Sequence, residues 1–143
     1  MDQYDLLKLD NQLCFRLYAA SREVIKGYKP LLDKYNLTYT QYITMLVLWE
    51  EEKATVKEIG NRLHLDSGTL TPLLKKLESM ELIIRYRDKN DDRVVIAELT
   101  EKGLKLKEEI VEVPSKLICN LNMTKEQIEE LAKSLDILLK VLE

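Results

Sequence analysis

The 143-residue sequence has little of what metal sites, phosphate loops and hydrolytic centres need. It contains four glycines, three prolines, two cysteines and one histidine. So few glycines provide poorly for glycine-rich phosphate loops, and a structural zinc site needs about four cysteine or histidine ligands. A catalytic triad would have to use His64, and no nucleophile-elbow motif accompanies it. We therefore expect no metal, no cofactor and no hydrolytic active site.

Long apolar runs are also missing. No segment approaches the ~18 consecutive apolar residues of a membrane span. The acidic start, MDQYDLLKLD, lacks the basic and apolar regions of a signal peptide. We expect a cytoplasmic protein that makes no membrane contact. With 45% apolar and 33% charged residues, the chain has the composition of one globular domain over 1–143. Its net charge of −3 gives no general attraction to nucleic acid.

Apolar residues at steps of three and four predict helices at both ends of the chain. A long helix is expected over 5–35, with Cys14 on its apolar stripe, and more helix over 100–143. A second helix, capped by Thr40 and running to about Glu52, is apolar nearly all round and should lie in the core. The terminal helices carry more apolar surface than the central module can cover, so we expect them to form a homodimer interface.

The middle of the chain has the pattern of a helix-turn-helix. Thr55 and Glu58 form an S/T-x-x-E capping box at the start of a short helix. A turn around His64 to Asp66 leads into a second helix, from Ser67 to Met80. Two short helices joined by a turn of this length predict a helix-turn-helix motif.

Two β-branched, alternating segments follow, on either side of the polar turn DKNDDR, and they predict a β-hairpin. The expected fold class is therefore mainly α with a small β-hairpin wing. In this fold a winged helix-turn-helix over 37–99 is flanked by dimerisation helices over 5–35 and 100–143.

The second helix of the motif has the composition of a DNA recognition helix, which needs short polar side chains for base edges and cations for phosphates. These candidates are Ser67, Gly68, Thr69, Thr71, Lys75 and Lys76. The hairpin adds Arg85, Arg87 and Arg93, and an arginine at a hairpin tip suits a narrow minor groove. Residues 66–93 hold six basic and six acidic side chains, whereas 94–143 hold seven and ten, so the excess negative charge lies outside this segment.

The stretches LDNQLCFRLYAASRE, YKPLLDKYNLTYTQY and LDSGTLTPLLKKLE, with DDR in the wing, carry a family resemblance. Over essentially its whole length the chain resembles the MarR family of winged-helix repressors, in particular the organic-hydroperoxide-sensing branch called OhrR. The resemblance implies a homodimer that binds a pseudo-palindromic operator in double-stranded DNA. It also implies an organic hydroperoxide as the effector, which oxidises a reactive cysteine and so releases the operator.

The same resemblance assigns individual residues. It places the reactive thiol at Cys14 and two tyrosines that hydrogen-bond to it across the dimer interface at Tyr28 and Tyr39. It makes the arginine of DDR, Arg93, the minor-groove contact. Cys119 lies where two-cysteine members carry a resolving thiol, and it would pair with Cys14 of the partner subunit.

These residue types suit a peroxide sensor because the thiolate, not the thiol, is the nucleophile. Phenol O–H donors stabilise the anion. The positive end of a helix dipole would add to this if Asp10 rather than Asp5 caps the first helix, which the sequence leaves open. Apolar neighbours of Cys14, such as Leu13, Phe15 and Leu17, would favour bulky organic peroxides.

Three other functions stay compatible with the sequence. A MarR-type repressor would respond to a small lipophilic or phenolic ligand, with Cys14 a bystander. Separately, the apolar stretch LICNL is also compatible with Cys119 as a core residue. A thiol peroxidase would use both cysteines but would leave the helix-turn-helix and the wing without a purpose. A DNA-binding scaffold would have no sensor at all.

Overall fold

The core of the protein is built around a helix that is apolar on nearly every side. In the computed structural model, which describes residues 2–143, this helix is α2 (Tyr39–Glu51). Its Met45 and Leu48 are completely buried. Thr44 is buried as well, and its hydroxyl donates to the carbonyl of Thr40 at 2.8 Å. The central position expected for this helix is confirmed.

The N-cap of α2 is Thr38, so the prediction of Thr40 is wrong by two residues. The Oγ1 atom of Thr38 accepts a hydrogen bond from the Gln41 N–H at 3.3 Å. In return, Gln41 Oε1 accepts one from the Thr38 N–H at 3.0 Å. This reciprocal capping box satisfies two N–H groups that the first turn would otherwise leave unpaired, which explains the choice of threonine.

The single helix predicted over 5–35 is wrong at both ends. The α-helix, α1, spans Leu13–Leu32. It is bounded by short 3-10 helices at Gln3–Leu7, Leu9–Asn11 and Asp33–Tyr35. The break before α1 is held by the side chain of Gln12, whose Nε2 donates to the carbonyls of Leu6 and Lys8 at 2.7 and 2.8 Å.

The helix-turn-helix is confirmed, as α3 (Val56–Leu63) and α4 (Ser67–Ser79). The capping box at Thr55 and Glu58 forms, with both hydrogen bonds at 3.1 Å. His64 ends α3 in the left-handed conformation, with φ at 57°. The turn between the two helices therefore lies at His64 to Asp66, as predicted.

The wing is confirmed as an antiparallel hairpin of β2 (Ile83–Arg87) and β3 (Val95–Leu99). A third strand, β1 (Lys53–Thr55), pairs with the other edge of β3 and gives the order β1-β3-β2. The sequence did not predict β1, because three residues are too few to display an alternating pattern.

The C-terminal third contains α5 (Glu101–Ile110), α6 (Val113–Asn120) and α7 (Lys125–Val141). Thr100 caps α5 and Thr124 caps α7, each accepting an N–H from the third residue after it. Within residues 2–143 no helix is both long and apolar enough to cross a membrane.

Both ends of the chain leave apolar side chains uncovered. None of the residues of α7 is buried. Exposed apolar residues occur along the N-terminal segment and α7, among them Leu6, Leu7, Leu9, Leu13, Leu131, Ile137, Leu139 and Val141. Exposed apolar surface of this extent marks an interface in a stable protein.

The contact between α5 and the central helix yields a stability prediction at Gly103. Its carbonyl accepts the buried indole N–H of Trp49 at 2.9 Å, and a Cβ at this position would collide with the carbonyl oxygen of Leu82. We expect Gly103→Ala to lower the free energy of unfolding by about 3 kcal/mol, because a backbone atom cannot yield as a side chain can. Urea unfolding followed by circular dichroism measures the change.

The matched control is Gly68→Ala in α4. A Cβ at Gly68 would meet the Asp66 carboxylate at an ordinary 3.4 Å. Alanine inside a helix is favoured over glycine by about 0.5–1 kcal/mol, so this variant should be as stable as the wild type or more so. Equal midpoints for the two variants would contradict the close packing at Gly103.

Candidate DNA interface and redox site

The first turns of α4 present the polar side chains predicted for a recognition helix. Ser67, Gly68 and Thr69 are exposed, and the Thr71 hydroxyl donates to the Ser67 carbonyl at 2.8 Å. On the opposite side of the helix the apolar residues are buried, namely Leu70, Leu73, Leu74 and Leu77. Lys75 and Lys76 are exposed in the following turn. The polar face of α4 is thus free to enter a DNA groove.

Asp66 fixes the start of α4. Its carboxylate accepts the Thr69 N–H at 2.7 Å. The hydrogen bonds from Thr69 hold the pKa of Asp66 below its ordinary value. The group is therefore charged at neutral pH and keeps the first turn in place.

Arg93 stands at the tip of the wing with its side chain 91% exposed. Its Nε and Nη2 atoms donate to the two carboxylate oxygens of Asp91 at 3.1 and 3.2 Å. Hydrogen bonds from Arg93 lower the pKa of Asp91. Asp91 thereby orients the guanidinium without burying it.

The other two wing arginines make contacts within the protein. Arg85 is half-buried, and both its backbone N–H and its Nη2 donate to the carboxylate of Glu78 in α4 at 3.1 Å. Arg87 is exposed, and its Nη1 donates to the Asp92 carbonyl at 2.7 Å. Arg85 thus links the wing to the recognition helix, while Arg87 stabilises the turn of the wing.

A groove of about 650 Å³ separates α4 from the wing. Ser67, Thr71, Arg85 and Arg93 line it, as the sequence would suggest. Its third wall comes from α3 and the residue that caps it, and is formed by Thr55, Lys57, Glu58 and Asn61. The sequence analysis assigned no DNA contact to this helix and therefore missed the wall. The spacing of Lys57 and Asn61, four residues apart on one helix face, was the available signal.

Cys14 is the second residue of α1 and is exposed. The residue that caps the helix is Gln12, so neither Asp5 nor Asp10 does so. Gln12 makes no side-chain capping bond, so the first-turn N–H groups beside Cys14 are not consumed by a cap. Arg16, two residues after Cys14, donates to the carbonyls of Gln12 and Asp10. Its positive charge therefore lies against the start of this helix.

Tyr28 and Tyr39 lie together, with Tyr42, in a cluster between α1 and α2. The ring centroid of Tyr28 is 4.8 Å from that of Tyr39 and 5.7 Å from that of Tyr42. Burial, and then the neighbouring phenols, raise the pKa of Tyr28 to about 12. Burial also raises the pKa of Tyr39. Both phenols are protonated at neutral pH and available as hydrogen-bond donors.

One chain does not bring Cys14 to these tyrosines. Cys14 and Tyr28 are both in α1, 14 residues apart, which is about 21 Å along the helix axis. Cys119 is exposed on α6. Helix α6 packs on α1 at Gly27, where an added Cβ would lie 3.3 Å from Cδ1 of Leu117. Tyr28 and Cys119 therefore share one end of α1, and Cys14 lies at the other.

In residues 2–143 no three histidine, cysteine or acidic side chains are grouped so as to hold a metal ion.

Residues 26–110 match the family model of the transcriptional regulator SarA/Rot. Over 141 residues the chain is 50% identical to the organic hydroperoxide resistance transcriptional regulator of Bacillus subtilis, covering 99% of this chain and 96% of that protein. The chain belongs to the organic-hydroperoxide branch of the MarR family of transcriptional regulators.

Solved structures of DNA-bound proteins have the same fold. Reduced AbfR bound to DNA superposes with a TM-score of 0.81 at 35% identity, over 99% of each chain. A mutant MarR from E. coli in complex with operator DNA matches with a TM-score of 0.83 at 22% identity, over 97% of this chain and 99% of that one. At this identity the second match speaks for the fold alone. This MarR-family chain is a regulator and not an enzyme, so the thiol peroxidase alternative is wrong.

Proposed function

We propose that this MarR-family regulator is a homodimeric repressor that releases a pseudo-palindromic operator when an organic hydroperoxide oxidises Cys14. The observation that carries the proposal is the position of Cys14. An exposed thiol occupies the first turn of a helix without a side-chain cap, in a chain that also carries a helix-turn-helix and a wing. The regulator from Bacillus subtilis named for organic hydroperoxide resistance supports the choice of effector.

The homodimer is supported by the apolar surface at both ends of the chain. An α-helix as long as α7 with no buried residue gains little from folding on its own. Pairing it and the N-terminal segment with a second copy would bury those apolar side chains. A two-fold dimer also matches the symmetry of a pseudo-palindromic operator.

In the proposed dimer, the partner subunit supplies the phenol hydrogen-bond donors that Cys14 lacks within its own chain. A groove of about 350 Å³ opens beside Tyr28 and Tyr39. We assign it to the first turn of α1 from the partner subunit. In this arrangement the phenols of one subunit donate hydrogen bonds to the thiolate of the other. Because both phenols keep their protons, they stabilise the anionic sulfur.

The oxidation is a two-electron step. The Cys14 thiolate attacks the outer oxygen of the hydroperoxide, and the O–O bond breaks. The alkoxide takes up a proton and leaves as an alcohol, and the sulfur becomes a sulfenic acid. That product no longer accepts the two phenol hydrogen bonds as a thiolate does, so the contact between the subunits must rearrange.

We propose further that Cys119 of the partner subunit resolves this sulfenic acid. Its thiol attacks the oxidised sulfur, a disulfide forms and water leaves. A disulfide needs Cα atoms within about 7 Å. Cys14 and Cys119 of one chain lie near opposite ends of α1, so the bond should join two subunits.

Non-reducing electrophoresis after treatment with cumene hydroperoxide tests the disulfide. We expect the wild type to run as a covalent dimer, and Cys14→Ser and Cys119→Ser to run as monomers. Dithiothreitol should return the wild-type band to the monomer position. A covalent dimer that persists in Cys119→Ser, or no covalent dimer in the wild type, would contradict the two-cysteine mechanism.

For DNA binding, we propose that Ser67, Gly68, Thr69 and Thr71 face base edges in the major groove. Lys75, Lys76 and Arg87 would contact phosphates, and Arg93 would enter the adjacent minor groove. Arg85 would act mainly by fixing the wing to α4 through Glu78. A gel shift on the protein's own promoter tests the whole assignment. Reduced protein should bind, and hydroperoxide should remove the complex.

A repressor that responds to a small lipophilic or phenolic ligand is the second candidate. Its support is an apolar groove of about 470 Å³ between α2 and the α5–α6 junction, lined in part by Leu46, Trp49 and Val111. The two candidates differ at Cys14, because a ligand-responsive repressor keeps its response in Cys14→Ser.

A further inference from the structure

The groove between α4 and the wing lies on the path of a DNA strand. In a double helix the major groove and the next minor groove are separated by one sugar–phosphate backbone. If α4 occupies the major groove and Arg93 the minor groove, that backbone must pass between them. The groove of about 650 Å³ is the space between those two elements. This step rests on the proposed DNA-binding function.

The wall that α3 contributes to this groove carries an unpaired cation. Lys57 is exposed, and among residues 2–143 no carboxylate lies within ion-pair distance of its ammonium group. The other cation of α3, Arg62, is bound to Glu50 at 2.7 Å and approaches Glu51 at 3.8 Å. Arg62 is also absent from the lining of the groove. Of the two cations in α3, Lys57 is thus the one that is available to bind a phosphate.

The acidic group in the same wall does not cancel that charge by pairing with it. Glu58 Oε2 accepts the backbone N–H of Thr55 at 3.1 Å, as part of the capping box. The carboxylate is therefore held at the end of its own helix. Asn61, one turn after Lys57, adds a neutral hydrogen-bond donor to the same wall.

We propose that Lys57, assisted by Asn61, binds a phosphate of the DNA strand that crosses this groove. Helix α3 then becomes a third DNA-contacting element beside α4 and the wing. A contact of an ammonium group with a phosphate carries no base information. Lys57 therefore adds affinity for DNA of any sequence, and it fixes how deeply the DNA strand lies between α4 and the wing.

The salt dependence of binding tests this, with Lys57→Gln compared with Arg62→Gln. Both variants remove one positive charge from α3, and only the first removes it from the groove. Each phosphate contact contributes about 0.9 to the slope of log K against log salt. A dimer carries two copies of Lys57, so its variant should lose roughly 1.8 of the slope. Between 50 and 200 mM salt, the affinity ratio of wild type to variant should then shrink about tenfold.

We expect the same loss of slope on the operator and on a non-operator duplex of equal length, and no change of slope for Arg62→Gln. Asn61→Ala should weaken binding without changing the slope. Equal slopes for wild type and Lys57→Gln, or equal losses for Lys57→Gln and Arg62→Gln, would overturn the phosphate contact and leave the proposed function standing. Failure of the wild type to bind its promoter would overturn both. Matching thermal melts confirm that the variants are folded.

Discussion

Cys14→Ser is expected to bind the operator as the reduced wild type does and to ignore organic hydroperoxide. A serine hydroxyl occupies the space of the thiol and accepts the same phenol hydrogen bonds, but peroxide does not oxidise it. Treated wild type should fall from specific to nonspecific affinity, a loss of about a thousandfold or more. The variant should change less than about twofold. Fluorescence anisotropy with a labelled promoter fragment, with and without cumene hydroperoxide, measures both.

Cys119→Ser is the matched control for this experiment. It removes the other thiol of the chain, and it should still respond to peroxide, since oxidation begins at Cys14. Without Cys119 the oxidised state should be reached without a covalent dimer. If Cys14→Ser released the operator as the wild type does, the sensor would lie elsewhere, and the groove at Leu46 and Trp49 would be the next place to look.

Arg93→Ala should produce the second large effect, on DNA binding itself. Its guanidinium is almost fully exposed at the wing tip and is aimed by Asp91. A specific groove contact contributes about 1–3 kcal/mol, so losing one from each half-site should weaken operator binding at least about thirtyfold. The same anisotropy assay at constant salt measures this loss.

Two further variants define what the Arg93 result means. Arg62→Ala removes an equal charge that is paired with Glu50, and it should have little effect. Asp91→Asn keeps Arg93 but loosens its orientation, and it should give a smaller loss than Arg93→Ala. Wild-type affinity in Arg93→Ala would contradict a wing that reaches the minor groove.

Much of the fold could be predicted because its signals are local. The capping box at Thr55 and Glu58 and the polar turn of the wing involve neighbours in sequence, and both formed as predicted. The ends of the first helix could not be read in this way. Gln12 interrupts the helix because its side-chain amide donates hydrogen bonds to the carbonyls of Leu6 and Lys8. The helix propensity of glutamine does not predict such a contact.

The residues of the candidate site could be proposed from the sequence, whereas their arrangement could not. The sequence indicated that Arg85 reaches DNA, whereas the fold places its guanidinium on Glu78, a contact that depends on how β2 packs against α4. The α3 wall of the groove was missed for the same reason. Cys14, Tyr28 and Tyr39 were named from a resemblance, and the length of α1 adds that they can meet only between subunits.

The central claim is that oxidation of Cys14 itself releases the DNA. Its most direct test is a titration of the reduced protein–operator complex with substoichiometric amounts of cumene hydroperoxide. Bound DNA is followed by anisotropy, and the oxidation state of the Cys14 peptide is followed by mass spectrometry in the same samples. We predict that the fraction of DNA released rises together with the fraction of Cys14 oxidised. Release while Cys14 is still reduced, or full oxidation of Cys14 with the operator still bound, would contradict the account.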